Sequence, residues 1–169
     1  MIRPILRYGD RLLHQQAAQV TVFDDAVQRL IDDMIETMYA APGIGLAATQ
    51  VGEPVRICVI DLSVGRNAAD LIVLVNPEFV ERDGTQFEDE GCLSAPGFNA
   101  TVLRPARVVV KALDRNGEPF TKEGTGLLAR AFQHEIDHLD GVVFIDLLRG
   151  IKRDLIVRRI SKLRKTGKW

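Results

Sequence analysis

Apolar residues recur at helical spacing in three segments of the chain. The first segment follows Asp24, a residue type that favours helix N-termini, and ends at Ala41-Pro42-Gly43. The second covers residues 126–139, and the third begins at about residue 152 and ends near residue 165. Apolar residues spaced i, i+3, i+4 and i+7 lie on one face of a helix, which can pack against a core, so the pattern predicts three helices.

Runs of β-branched residues predict strands between these helices. They lie at residues 55–62, 71–75 and 107–114, with a short run at 142–145. We expect the second strand to end at Asn76-Pro77, because proline cannot donate a hydrogen bond to a sheet ladder.

Two turn signals connect the strand segments. Asp83-Gly84 predicts one hairpin, and Asn116-Gly117 predicts another with a primed turn. Hairpins therefore outnumber any βαβ alternation, and the pattern predicts an α+β fold with mostly antiparallel sheet rather than a Rossmann-like fold.

Composition narrows the class of protein. The chain has 169 residues, of which 46% are hydrophobic and 27% charged, which is typical of a folded soluble protein and excludes a disordered chain. This length predicts a single domain over residues 1–169. No stretch approaches the roughly 20 apolar residues of a membrane span, and the N-terminus lacks a signal-peptide pattern. We expect a cytoplasmic protein, or a processed organellar one.

The charge is unevenly distributed. Residues 149–169 contain nine basic residues and one acidic residue, whereas the whole chain has a net charge of −1. A basic tail suits a polyanionic partner, although a solvated helix face is an equally good interpretation.

The predicted second helix carries an H-E-x-x-H motif at His134, Glu135 and His138. Four residues advance about 400° along a helix, so the two imidazoles share one face and can bind one metal ion. Glu135 is offset by about 100° and can act as a base beside that ion. Two solvated surface histidines are the alternative, which the apolar neighbours of the motif disfavour.

A catalytic site of this type needs a third protein ligand. Asp140 and Asp146 follow the motif, and Cys92 precedes it in a glycine-containing loop. We favour Cys92, because a thiolate suits a borderline-soft ion. Cys58 lies within a predicted strand and is interpreted as a core thiol, and His14 as an ordinary histidine.

The glycine-rich segment 43–50 is suggestive only. It lacks the G-x-G-x-x-G and P-loop patterns, so phosphate binding has little support and a structural turn is the default. Its glycines would permit close approach of an extended ligand, and the Gln50 amide could stabilise an oxyanion.

Three segments occurring in one order resemble peptide deformylase. They are GIGLAATQVG at 43–52, EGCLS at 90–94 and QHEIDHLDG at 133–141. The resemblance implies antiparallel sheets surrounding a central helix that bears the metal pair, followed by a C-terminal helix. It also implies a metal-dependent hydrolase that removes the N-formyl group from formyl-methionine of newly synthesised polypeptides and releases formate, with a metal-bound water as nucleophile.

The resemblance carries roles onto matching positions. Cys92, His134 and His138 match the metal ligands, and Glu135 the general base and acid. The implied oxyanion donors are the Gln50 side chain and the Leu93 backbone N–H, and the implied peptide-binding positions are Ile44, Gly45 and Gly91. The implied native ion is Fe²⁺, with Zn²⁺, Ni²⁺ or Co²⁺ as substitutes.

Some features fall outside the family pattern or leave alternatives open. Ala95, Phe98 and Asn99 depart from the usual residues near the substrate-entry loop, which bears on fine specificity, and Leu127 is a candidate wall for the methionine pocket.

The basic helix at about 152–165 could dock on the ribosome. No membrane or DNA partner is expected. The rival functions are a zinc peptidase using the same helix and a non-enzymatic ribosome-associated module with a structural metal.

Overall fold

The structure, a computed structural model, describes residues 1–169. It contains three helices, α1 (Asp25–Ala40), α2 (Gly126–Leu139) and α3 (Ile151–Lys165). The Asp24 side chain accepts a hydrogen bond from the Val27 N–H at 3.1 Å, which confirms the predicted N-cap of α1. None of the helices combines the length and apolar character that crossing a bilayer requires.

Seven strands form two antiparallel sheets. The strands are β1 (Gly45–Ala47), β2 (Ile57–Ile60), β3 (Ile72–Asp83), β4 (Gln86–Gly91), β5 (Asn99–Arg104), β6 (Arg107–Leu113) and β7 (Pro119–Thr125). The larger sheet has the order β1-β2-β3-β6-β7, and β4 pairs only with β5. The predicted α+β class with antiparallel sheets is therefore confirmed.

Strand β2 shows how α2 becomes central. Its side chains alternate, so Ile57 and Val59 pack in the core that α1 covers, while Cys58 and Ile60 pack in the core that α2 covers. Both faces of the strand are thus buried, as its continuous β-branched run requires. The prediction that Cys58 is a core thiol is confirmed, because the residue is fully buried.

The predicted end of a strand at Asn76-Pro77 is wrong, because β3 continues through both residues to Asp83. The register shifts between Val75 and Glu78, which is a bulge that accommodates the missing proline N–H. Asn76 has φ 51°, and its side-chain amide exchanges hydrogen bonds of 2.8 and 2.9 Å with the backbone of Val20. A distant segment thereby replaces the lost ladder contact.

Two further expectations about local structure are wrong. The strands on either side of Gly84 do not pair with each other, because β3 pairs with β6 and the chain crosses to the small sheet. The predicted strand at 142–145 is replaced by a 3₁₀ turn at Phe144–Leu147. The β6–β7 hairpin is confirmed, but Asn116 keeps a negative φ and only Gly117 is left-handed, so its turn is not primed.

Helix α3 packs its apolar side into a third core cluster. Ile160 is buried there, with Ile156 and Val157 beside it, and the cluster also contains residues of the segment that follows β4. Leu155 of the same helix is exposed. The basic residues of α3 therefore remain on the surface, while its apolar residues pack against the segment that follows β4.

Candidate active site

Three predicted ligands converge at the end of β4. Cys92 directly follows that strand, and α2 places His134 and His138 one turn apart. The Cys92 Sγ lies 3.3 Å from His138 Nε2, which lies 3.2 Å from His134 Nε2. All three donor atoms lie within 4.8 Å of one another.

These atoms fit a divalent metal ion. Tetrahedral coordination with bonds of about 2.0 Å to nitrogen and about 2.3 Å to sulfur separates neighbouring donors by roughly 3.3–3.6 Å. The observed separations are close to these values, and a thiolate with two imidazoles suits Fe²⁺, Zn²⁺, Co²⁺ or Ni²⁺. The set supplies three ligands, which leaves a position for water or substrate.

The alternative ligands lie elsewhere. Asp140 caps the C-terminus of α2 and pairs with Arg56 at 3.0 Å. Asp146 accepts a hydrogen bond from the Tyr8 hydroxyl at 2.8 Å. His14 packs edge-on against the Tyr8 ring and accepts a hydrogen bond from a backbone N–H, as an ordinary histidine would.

Burial and nearby charges prepare the imidazoles for a cation. Burial lowers the pKa of His138 well below its ordinary value, so this ring is neutral and can offer a lone pair. Burial also acts to lower the pKa of His134, but the negative groups of Glu135, Cys92 and Glu90 outweigh it and raise the value. The same negative groups favour a metal ion in place of a proton.

Glu90 orients the first of these imidazoles. Its Oε2 lies 2.9 Å from His134 Nδ1, so this nitrogen can donate to the carboxylate and leave Nε2 for a metal. Arg104 forms a two-bonded ion pair with Glu90 at 2.7 and 2.6 Å, and Arg130 adds a bond of 2.8 Å. All three side chains are buried.

Glu135 is a buried carboxylate with an unfilled hydrogen-bonding capacity. It is 4% exposed, and its Oε1 has no hydrogen-bond partner within the chain. Burial raises the pKa of Glu135 to about 7, which makes the carboxylate a stronger base than an exposed one. Such a group, lining a cleft beside three metal ligands, is suited to proton transfer.

The Gln50 amide is held in one orientation. Its Oε1 accepts a hydrogen bond from the Ala47 N–H at 2.9 Å, so its Nε2 must point the other way. That nitrogen lies 3.1 Å from Ser94 Oγ and 3.6 Å from Cys92 Sγ. The amide therefore presents N–H donors next to the ligand group.

A cleft of about 410 Å³ opens over these groups. Its walls include every predicted peptide-binding position, together with Leu93, Leu127, Ala95 and Phe98, whereas Asn99 is not among them. The predicted site residues that line it are Ile44, Gly45, Gln50, Gly91, Cys92, Leu93, His134 and Glu135. Eight of the nine predicted site residues therefore line one cavity. The ninth, His138, does not line it but contacts Cys92 and His134.

Comparison with known proteins assigns this arrangement to a family. A family model described as polypeptide deformylase matches residues 2–154. The chain belongs to the polypeptide deformylase family. A peptide deformylase of Acidobacterium capsulatum is 52% identical over 169 residues, which is all of this chain and 99% of that protein.

Solved structures agree with this assignment. The crystal structure of a peptide deformylase from Legionella pneumophila has a TM-score of 0.92 and 46% identity, covering 99% of this chain and 98% of that one. A peptide deformylase from Ehrlichia chaffeensis, solved in complex with actinonin, has a TM-score of 0.87 and 37% identity over 95% of this chain and 96% of that one. Peptide deformylases are metal-dependent hydrolases that remove the N-formyl group from nascent peptides, so this chain is an enzyme of that kind.

Sequence reasoning missed the buried ion pairs of this deformylase. The sequence pattern identifies Glu90 only as part of the EGCLS segment and assigns no role to Arg104 or Arg130. The sequence does contain a signal for them. Arg104 lies two residues after Val102 and so on the same buried face of β5, and Arg130 lies on the buried helix α2. A charged residue at an inward position predicts a buried partner.

Gly45→Ala is expected to reduce kcat about 100-fold and to lower the free energy of unfolding by about 1–3 kcal/mol through overpacking against the buried Glu135 side chain. An added Cβ would lie 2.5 Å from Glu135 Oε2, so the carboxylate would have to move, and a displacement of about 1 Å can lower a rate by about 100-fold. Steady-state kinetics on a formyl-Met peptide, with metal content and thermal melting as controls, would check this. Unchanged kcat would show that the position of Glu135 is not critical.

Proposed function

We propose that this chain deformylates formyl-methionyl nascent polypeptides with Cys92, His134 and His138 holding one Fe²⁺ ion. The observation that carries the proposal is the cluster of three donor atoms beside the unpartnered Oε1 of Glu135. The choice of Fe²⁺ follows the family resemblance, and the same donor set suits Zn²⁺, Ni²⁺ or Co²⁺. When bound, such an ion would acidify a water molecule and polarise the formyl carbonyl.

Glu135 moves the proton in this scheme. Its carboxylate accepts a proton from the attacking water as the water oxygen bonds to the formyl carbon. The same carboxyl group then donates that proton to the departing amine nitrogen as the C–N bond breaks. The immediate products are formic acid and a peptide with a free amine. Transfer of the acid's proton to the amine leaves formate and a charged N-terminus, so atoms and protons balance.

Gln50 and Leu93 stabilise the charge that develops on the formyl oxygen. The fixed Gln50 amide directs its N–H groups toward the Cys92 side of the cleft. The Leu93 backbone N–H is the second donor. Donors that are already oriented before the reaction need no rearrangement when the charge forms, which is the main source of their effect.

The peptide binds as an added strand. Strand β1 pairs only with β2 and β4 pairs only with β5, so each leaves one edge free. Gly45 begins the first strand, Ile44 directly precedes it, and Gly91 ends β4. All three line the cleft. Backbone pairing holds any downstream sequence, while Leu127 contributes an apolar wall for the methionine side chain.

Formate release tests the proposal. The chain, loaded anaerobically with Fe²⁺ or with Zn²⁺, is incubated with formyl-Met-Ala-Ser and with acetyl-Met-Ala-Ser. Metal-dependent release of formate, with the acetyl peptide intact, supports deformylation. Cleavage of an internal amide bond would support the peptidase alternative, and no reaction with either peptide would support a structural metal.

We propose further that the enzyme acts in the bacterial cytoplasm and docks on the ribosome through α3. One support is the bacterial origin of similar enzymes such as that of Acidobacterium capsulatum. The other is the set of exposed basic residues of the helix, several of which line one shallow groove, among them Arg158, Arg159 and Lys162. Ribosomal RNA presents the polyanionic surface that such a groove would bind.

Charge reversal on α3 is expected to abolish co-sedimentation with ribosomes at low salt. The test variant is Arg158→Glu, Arg159→Glu, Lys162→Glu, which leaves the buried Ile160 in place. A control with equal net charge reverses three exposed basic residues elsewhere, Arg29, Arg66 and Lys122. Equal loss of sedimentation in both proteins would show that net charge, and not this helix, governs the association.

A further inference from the structure

Trp169 is held in a defined position after α3. Gly167, with φ 71°, ends the helix in a Schellman motif, in which Lys168 N–H bonds to the Leu163 carbonyl at 2.8 Å and Gly167 N–H to the Arg164 carbonyl at 3.2 Å. This turn directs the following residue back over the protein body. The hydrogen bonds at the end of the helix therefore set the position of Trp169.

Three contacts then fix the indole. Its Nε1–H donates to the Tyr8 carbonyl at 2.8 Å, and the Arg7 guanidinium lies 5.7 Å from the ring centroid. The Phe98 ring meets the indole edge-on, with centroids 5.7 Å apart and planes at 69°. Such an aromatic pair contributes stabilisation beyond its buried area.

These contacts lead to the segment that carries the candidate metal ligand. Phe98 lines the substrate cleft and lies in the connection between β4 and β5, which begins at Cys92. The Tyr8 N–H donates to the Ser94 carbonyl at 2.8 Å, and the Ser94 N–H points to Cys92 Sγ at 3.4 Å. Trp169 thus supports the 92–98 segment at Phe98 and, through Tyr8, at Ser94.

We propose that Trp169 is a positioning residue that holds Phe98 against the cleft and so sets the affinity for the peptide. The inference rests on the proposed function. Phe98 touches both the cleft and the indole, so loss of the indole leaves the ring free to leave its place in the wall. Trp169 touches Phe98 directly but reaches Cys92 only through Tyr8 and Ser94. The other proposed catalytic groups of the cleft lie on α2, so loss of the indole acts first on peptide binding and not on chemistry.

The test compares three single variants by their kinetics on formyl-Met-Ala-Ser. Trp169→Ala should raise KM roughly three- to tenfold, the size of an aromatic pair contact, with kcat and metal content unchanged. Trp169→Phe should restore most of the affinity, because a ring remains against Phe98. Leu155→Ala is the control on the same helix, because its side chain is exposed and takes no part in the aromatic contact, and it should leave KM unchanged.

A double-mutant cycle identifies the route. Phe98→Ala should raise KM by itself, and adding Trp169→Ala to it should have no further effect, because the contact is already lost. Equal KM for wild type and Trp169→Ala would overturn the proposal. An additive effect, or a parallel fall in kcat and metal content, would also overturn it by showing a general structural role.

Fluorescence provides a second measurement if an alanine variant does not fold. Trp169 is the single tryptophan of the chain, so all tryptophan emission reports on this position. Saturation of the wild-type holoenzyme with the product Met-Ala-Ser should decrease quenching by acrylamide, because coupling between two sites is reciprocal. Unchanged quenching would refute the coupling. A holoenzyme that binds the peptide but releases no formate would contradict the proposed function and leave this inference standing.

Discussion

Replacement of Glu135 by glutamine is expected to lower kcat for deformylation about 10²- to 10⁴-fold while the protein keeps its metal and fold. The amide has nearly the shape of the carboxylate but cannot accept a proton from water. No other carboxylate is placed to replace it, since Glu90 is occupied by Arg104, Arg130 and His134.

The stability of the Glu135→Gln variant should not fall with its activity. A buried carboxylate whose Oε1 has no partner is unfavourable in the folded state, and the neutral amide reduces that penalty. We therefore expect Glu135→Gln to melt at the wild-type temperature or above it. Loss of activity with retained stability would place Glu135 in the reaction and not in the scaffold.

Glu88→Gln is the matched control for this experiment. Glu88 is an exposed glutamate of β4 that does not line the cleft, so the same chemical change there should leave kcat unaltered. The measurement is formate release per metal-loaded chain, together with metal content after dialysis. Near-wild-type turnover by Glu135→Gln would contradict its assignment as the base.

Helix geometry explains why half of the site was accessible from sequence. The relative positions of the His134, Glu135 and His138 side chains depend only on the helical repeat, and the spacing of their apolar neighbours predicts that helix. Helix α2 runs over Gly126–Leu139, the range that the pattern predicts. Cys92 differs, because its contact with His138 spans 46 residues. Spacing alone does not choose between Cys92, Asp140 and Asp146, and the preference for Cys92 comes from the affinity of a thiolate for a borderline-soft ion.

Pairing between distant segments explains the errors in the fold. Asn76-Pro77 is locally a strand terminator, yet β3 passes through it because Val20, 56 residues earlier, supplies hydrogen bonds to Asn76. Gly84 likewise gives a local turn signal, but the strands that it joins belong to different sheets. A one-dimensional pattern states where the chain bends and does not state which strand it meets afterwards.

The charged support of the site was missed for the same reason. Glu90 lies on β4, Arg104 on β5 and Arg130 on α2, so only the assembled structure shows that they share one buried network. Their sequence separations of 14 and 40 residues match no local period. Each charge is tolerated inside because the others neutralise it, which is a property of the cluster and not of any single position.

Cys92→Ala is expected to release the metal and, with it, all measurable deformylation. The remaining imidazoles offer two ligands, whereas a catalytic ion of this type is held by three. Removing a residue that hydrogen-bonds to a metal ligand already lowers metal affinity about 10- to 100-fold, so removing a ligand itself should lower the affinity further. The measurement is metal per chain after dialysis against chelator-free buffer.

Cys58→Ala is the matched control, because it removes the only other cysteine of the chain. Cys58 is fully buried in the core beneath α2, so the change should lower stability through a small cavity but leave metal content at the wild-type level. A metal that binds only the folded chain also raises its melting temperature. Cys92→Ala should therefore melt where the chelated wild type melts, and a Cys92→Ala protein that retains a full complement of metal would require a different third ligand.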